Sequence, residues 1–388
     1  MNRVAIIGAG AIAKTHIEGY LAFPARAKVV AVVDLYPEKA EEKIKDFNLD
    51  AVVYDSYAKL LEHVDFEIAS ICTPPFAHAD TTIAMLNAGK HVLVEKPMAT
   101  SLDLCDEMIE AARTNGKQLS VVAQNRFKNP MAKLKQVLDS GLIGRIYHAQ
   151  VDSFWWRGSN YYDLWWRGTW EKEGGGCTMN HAVHHIDLFH WMVGMPDELQ
   201  AVIANIAHTN SEVEDFSTAV LRYKNDRIGQ VTASLVHHGE KQRFVFQGER
   251  ASVSVPWQVN ASLPLANGFP KENPALVEKI QAYYDEIPDL EYIGHTGQIK
   301  NFLDAIDGKD ALLVDGVEGR KTIEIAMAIY QSGTFGSPVK FPMTPEDPFY
   351  TRENILKNAP RFHKKTKNVN NFATEEITLG SDYHEEDK

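Results

Sequence analysis

Short, almost wholly apolar runs recur along the first third of the chain, at 4–7, 29–33, 68–72, 92–94 and 119–123. Between them lie stretches of helical periodicity at 38–47, 81–87 and 102–114. Strands apolar on both faces, each followed by a helix, predict a parallel sheet covered on both sides. After Pro130 the pattern changes. A helix at 133–139 closes at Gly141 and Gly144, and strands then succeed one another at 147–154, 201–207, 218–223, 229–235, 244–247 and 252–255. Asn225-Asp226 reads as a hairpin turn between two of them. Successive strands of this kind predict an α+β domain with an antiparallel or mixed sheet. Two late helices, at 299–306 and 319–332, are expected to pack on the body. Beyond Thr344 the polar chain reads as a surface extension with an acidic tail. The expected divisions are residues 1–125, 126–345 and 346–388.

The 388 residues are too many for one small core, in keeping with two domains. A formal charge of -12 argues against nucleic acid as a partner, since phosphate recognition needs a basic face. It leaves room for an anionic small molecule held by a local basic cluster. Cys72, Cys105 and Cys177 are odd in number and widely spaced, so they build neither a disulfide framework nor a paired-cysteine zinc motif. A reducing cytoplasm is expected. The opening residues run straight into a strand without the apolar stretch and cleavage site of a signal peptide. No segment approaches the ~18 consecutive apolar residues of a membrane span.

Gly8-Ala9-Gly10-Ala11-Ile12-Ala13 follows the first strand and opens a helix. In such a loop Gly8 permits the tight turn, and Gly10 lets a pyrophosphate approach the backbone. Ala13 allows close packing of helix on strand, and the helix N-terminus favours phosphate charge. Asp34 stands at the tip of the next strand, where a carboxylate accepts from ribose hydroxyls and repels a 2′-phosphate. The motif predicts NAD, in preference to NADP. Thr73 and Pro74 end the fourth strand and Glu95-Lys96-Pro97 the fifth, both at the carboxyl edge where ligands bind in this architecture.

Three glycines, Gly174 to Gly176, precede a helix expected over about 178–193. At 100° per residue, Asn180, His184, Asp187 and Trp191 form one stripe, and Ala182, Ile186, Phe189 and Val193 the opposite, buried one. Asp187, three residues on, is expected to hold His184 for acid–base work. A rival reading uses His181 and His185, one turn apart, with His190 nearby, as a metal site. No glutamate of the metalloprotease type separates the pair and NAD chemistry needs no metal, so none is expected. The dense aromatic stretch from Phe154 to Trp170 serves as a core or subunit contact, or as a platform for a sugar or nicotinamide. In the second case Trp166 lies at the ligand and Arg167 reaches a phosphate or hydroxyl.

Taken together, the Gly8–Ala13 loop, Glu95-Lys96-Pro97, Gln124-Asn125-Arg126-Phe127, Gly174–Gly176 with His184 and Asp187, and the Val314–Arg320 segment resemble the Gfo/Idh/MocA family, the glucose–fructose oxidoreductase and inositol dehydrogenase group. The resemblance covers nearly the whole chain. It implies an α/β Rossmann domain followed by an α+β domain with a large, open, mostly antiparallel sheet, often used for homo-oligomerisation. It also implies Lys96 and His184 in the catalytic positions. Candidate cofactor contacts are then Gly8, Gly10, Ala11, Ile12, Asp34, Thr73, Pro74, His78, Glu95, Lys96, Gln124, Trp166 and Arg167. Candidate substrate contacts are Lys96, Arg126, Asn180, His184 and Asp187. Many members carry aspartate where this chain has Asn180. An amide cannot carry a proton, so Asn180 is expected to orient the substrate instead.

Three functions fit these residues. The first is an NAD-dependent dehydrogenase acting on a secondary hydroxyl of a cyclic polyol or sugar, a UDP-amino-sugar uronate among the alternatives. The second is a non-enzymatic NAD sensor, which would need Asp34 but not Lys96 with His184. The third is a metal-dependent hydrolase or isomerase built on His181 and His185.

Overall fold

The computed structural model describes residues 1–370, Phe372 and Tyr383. Its first sheet is formed by β1 (Asn2–Ile7), β2 (Ala27–Val33), β3 (Val52–Tyr54), β4 (Ile68–Ile71), β5 (His91–Val94) and β6 (Leu119–Val121). Their order is β3-β2-β1-β4-β5-β6, all parallel. The chain leaves β1 for one edge and returns beside it as β4, so the crevice between these two carboxyl ends is the switch point at which such sheets bind ligands. β4 is buried at every residue. This explains why its sequence reads as an unbroken apolar run.

The second sheet contains β7 (Ile146–Phe154), β8 (Glu198–Ala204), β9 (Phe216–Arg222), β10 (Ile228–Ser234), β11 (Gln242–Gly248), β12 (Ala251–Val255), β13 (Gln258–Pro264), β14 (Pro270–Glu272) and β15 (Val339–Lys340). The order is β14-β13-β12-β11-β7-β10-β9-β8-β15. Every pair is antiparallel except the central β7 and β10. Asn225 and Asp226, both at positive φ, turn β9 into β10 as their residue types anticipated. Buried and exposed residues alternate along β8 and β9, so one face carries the core and the other is open.

The first of the two late helices returns to the first sheet. Ile299, Phe302 and Leu303 of the helix Gly294–Ile306 join Val4, Ile6 and Ile17 in one cluster. A Cβ on Gly19 would come within 2.4 Å of the tip of the Ile299 side chain, so the two helices pack closely there. The expected surface extension is corrected in its first part. Phe349, Tyr350 and Ile355 are buried, and the Trp170 indole N–H donates to the Pro360 carbonyl at 2.7 Å. Apolar residues scattered among polar ones concealed this packing. The acidic tail lies outside the described residues, apart from Tyr383. Among the described residues, no helix is long and apolar enough to cross a membrane.

Candidate active site

The loop after β1 is shaped by contact. A Cβ on Gly8 would sit 2.7 Å from the Cys72 backbone, and φ at Gly8 is +101°. At Gly10 a Cβ would meet nothing within 4 Å, which leaves room above that backbone for a phosphate. Ala13 is fully buried where the helix Ala13–Leu21 meets the sheet. Ala11 and Ile12 form the turn leading into that helix. Asp34 braces the loop: its carboxylate accepts from the Ala9 N–H at 2.7 Å and the Tyr36 N–H at 2.9 Å. Thr73 Oγ1 and Gln124 Oε1 are buried without a hydrogen-bond partner among the described residues. They lie beyond β4 and β6, at the edge the cofactor would line. An unpaired buried hydroxyl at Thr73, whose backbone lies against Gly8, fits a polar dinucleotide held over the glycine loop.

The Glu95 carboxylate accepts from His16 Nε2 at 2.9 Å and His295 Nε2 at 3.3 Å, and from the Lys96 backbone N–H at 3.1 Å. His16 is tied in turn to Ser70 by its Nδ1 at 2.7 Å. Burial would raise the Glu95 pKa, but the two histidine hydrogen bonds outweigh it and hold the carboxyl well below its usual range. The three ligand atoms are close enough to surround a metal ion, yet each already serves a hydrogen bond that fixes Glu95 beside Lys96. His78 is buried and bridges the Thr73 and Pro97 carbonyl oxygens, at 2.7 Å each. Both side chains thus brace the strand-end loops at which a cofactor would be held.

Lys96 precedes a cis peptide bond to Pro97 and is partly buried, with Nζ donating to the Asn180 carbonyl at 3.4 Å. Burial lowers its pKa, Glu95 opposes that, and Arg167 adds to it. His184 and Lys96 line one small cavity, whose other walls include Met98, Ala123 and Val183. Burial, then the nearby Lys96 charge, hold the His184 imidazole well below its usual pKa. Among the described residues its ring makes no hydrogen bond, so a neutral imidazole is left with one donor and one acceptor for a ligand. If Lys96 acts as a base, activity rises as pH passes its lowered pKa. Glu95→Gln removes the charge that keeps that pKa up, so the rise in kcat/KM should move to lower pH. An unmoved or alkaline-shifted profile would contradict this pairing.

The helix expected over 178–193 is broken. It comprises Cys177–Asn180 and Val183–Val193, separated at His181 and Ala182. Ala182, Ile186, Phe189 and Val193 are buried as expected. Asp187 does not hold His184. Its two oxygens accept from Arg126 Nε at 2.9 Å and Nη2 at 2.8 Å, and Arg126 Nη1 reaches the Leu313 carbonyl and Glu318. Helical spacing suggested the wrong partner, because the stronger one arrives from a distant segment with a bidentate fork. Arg126 and Asp187 thus tie the loop after β6 to the helix Val183–Val193. Asp187 also lines the cavity shared by Lys96 and His184, so the pair braces the wall at which a substrate would be held. Arg126→Ala leaves the Asp187 charge uncompensated and should cost about 3–5 kcal/mol in denaturant unfolding. A loss below about 1 kcal/mol would show the pair to be dispensable.

The rival metal set is also dispersed. His185 bonds Ser153 and Tyr383, His190 bonds Thr322, and His181 sits between the Trp155 and Tyr161 rings, its Nδ1 unpaired among the described residues. Arg167 stacks on Tyr161 and Trp166, at 4.1 and 4.3 Å from their centroids, and pairs with Glu173 at 3.2 Å. Asn180 donates from Nδ2 to the Gly175 carbonyl at 3.2 Å.

Comparison with known proteins decides what this arrangement is. Residues 2–123 match the model of an oxidoreductase family with an NAD-binding Rossmann fold, and residues 131–254 match the GFO/IDH/MocA C-terminal domain. The chain belongs to the GFO/IDH/MocA oxidoreductase family. Over 360 residues it is 26% identical to the D-glucoside 3-dehydrogenase of Escherichia coli, covering 87% of this chain and 97% of that one. It is 27% identical over 266 residues to an inositol 2-dehydrogenase/D-chiro-inositol 3-dehydrogenase of Lacticaseibacillus casei, covering 66% and 72%. The WlbA dehydrogenase of Chromobacterium violaceum, solved with NADH and UDP-GlcNAcA, is 31% identical with a TM-score of 0.78, covering 88% of this chain and 96% of that one. The chain is thus an NAD-binding oxidoreductase of the sugar and polyol dehydrogenase type.

Proposed function

We propose that the protein oxidises a secondary ring hydroxyl of a sugar or cyclic polyol, with NAD preferred to NADP. The observation that carries this reading is that Lys96, from the first domain, and His184, from the second, line one cavity at the carboxyl edge of the dinucleotide sheet. NAD, when bound, supplies the hydride acceptor. Lys96, in its neutral form, takes the hydroxyl proton as the carbon becomes a carbonyl. His184 holds the same oxygen through its N–H, which favours the developing alkoxide. Asn180 positions Lys96 through its carbonyl and orients the substrate. A sensor would have no use for this pair, and the histidines of the rival metal reading, His181, His185 and His190, each face different partners.

A specific observation favours a sugar bearing an anionic group. Arg157, Arg167 and Lys96 all act on His181 and push its pKa down beyond the effect of burial. Glu173, the counter-ion of Arg167, is itself pushed up to about 7 by burial, so near neutrality it offsets only part of the guanidinium charge. The likeness to a structure holding UDP-GlcNAcA supports the same choice. The test is a panel of inositols, neutral sugars, uronates and sugar nucleotides, followed optically for NADH. Turnover with at least one ring hydroxyl is expected, strongest among anionic members. A folded, NAD-binding protein that reduces no cofactor with any of them would overturn the dehydrogenase reading.

Asp34 supports the cofactor preference, since its carboxylate stands where a 2′-phosphate would lie. kcat/KM should be higher with NAD than with NADP, and equal or reversed values would remove that support. The three free, buried cysteines support a reducing cytoplasm. Tyr147, Val202 and Val220, exposed on strands of the second sheet, support its open face as the contact in a homo-oligomer.

A further inference from the structure

Tyr383 stands five residues from the end of an acidic, polar segment, yet only 2% of it is exposed. Its surroundings come from both domains. The Asn125 Nδ2 amide donates to the phenol oxygen at 3.0 Å, and His185 Nε2 lies 3.0 Å from the same oxygen. Lys128 Nζ is 5.2 Å from the ring centroid, and the Phe244 ring packs edge-on at 6.3 Å. Burial, with Lys128 beside it, pushes the His185 pKa down to about 3, so this imidazole is neutral and carries one N–H. The three hydrogen bonds can run in one direction. Asn125 donates to the phenol oxygen, the phenol O–H donates to His185 Nε2, and His185 Nδ1–H donates to Ser153 Oγ at 2.7 Å.

This hydrogen-bond chain joins the same two elements as the Arg126–Asp187 pair. Asn125 and Arg126 are neighbours in the loop after β6, and His185 and Asp187 lie on the helix Val183–Val193 that also carries His184. Two bridges side by side therefore set how that helix meets the strand-end loops, and so how His184 faces Lys96. The first is built into the body of the fold. The second depends on a residue near the very end of the chain.

We propose that Tyr383 is a positioning residue for the active site: it bridges Asn125 and His185 and so holds His184 in register with Lys96. The proposal rests on the dehydrogenase reading for its kinetic consequence, but its structural consequence can be measured without any substrate. Two variants test it, Tyr383→Phe, which keeps the ring and loses the O–H, and a chain lacking residues 373–388. Amide hydrogen exchange over residues 183–187 should be faster in both than in the full chain. With an accepted substrate, Tyr383→Phe should lower kcat ~5-fold, the worth of one hydrogen bond of about 1 kcal/mol. The truncated chain should lose ~10-fold or more, with unchanged NAD affinity, and a peptide of residues 373–388 added in trans should restore kcat saturably. Unchanged exchange in both variants overturns the proposal, as does unchanged kcat, or a loss that follows weakened NAD binding. If the full chain turns over no sugar or polyol, the dehydrogenase reading fails, and the exchange measurement alone decides the bridge.

Discussion

Lys96→Met should lower turnover by at least ~100-fold, the low end for losing a general acid–base group, while NAD affinity stays close to that of the unaltered protein. Methionine keeps the length and apolar stem of lysine, so the cavity between Met98, Ala123 and Val183 remains filled. What disappears is a nitrogen able to change protonation state. Burial and the Arg167 charge bring that nitrogen toward a useful range, and Glu95 limits the shift. The Gly8–Ala13 loop and Asp34, which would carry the dinucleotide, lie on other strand ends. The check is steady-state kinetics beside an NAD titration. Retained turnover would mean that another group moves the proton, and a parallel loss of NAD binding would mean that Lys96 serves the cofactor instead.

His184→Ala should have an effect of similar size, ~100-fold on turnover, again with NAD binding nearly intact. The ring has no hydrogen bond to lose among the described residues, so global stability should fall by no more than the packing of one partly buried side chain. His185→Ala is the informative contrast. Its imidazole links Ser153 and Tyr383, and its removal leaves buried partners unpaired. That variant should lose stability and only a modest share of turnover. A matched loss of turnover at both positions, restored by added zinc, would return the metal reading to contention.

The architecture was legible because burial on both faces leaves unbroken apolar runs, and a half-buried sheet leaves alternation. Missed elements were those lacking either signature. β3 and β15 are three and two residues long, and β14 is exposed throughout. The helix Pro274–Glu286 went unread although Asn273 caps it and Pro274 opens it. The break at His181 and Ala182 left no mark in a pattern whose apolar positions continue across it. The site was legible as far as local spacing reaches. Lys96, His184 and the glycine loop stand out by their places at strand and helix ends. Partners brought together by the fold do not: Arg126 lies 61 residues from Asp187, and His295 lies 200 from Glu95. Helical spacing therefore gave Asp187 to His184, and only the tertiary arrangement reassigned it.

The central claim is direct transfer of hydride from a ring carbon, and isotopic labelling tests it most closely. A substrate from the panel, deuterated at the carbon that bears the oxidised hydroxyl, is incubated with the protein and NAD, and the reduced cofactor is analysed by mass and NMR. The account predicts one deuterium per turnover on the nicotinamide ring and none in solvent. Label released to water, or retained in the product while NAD is reduced, would contradict it.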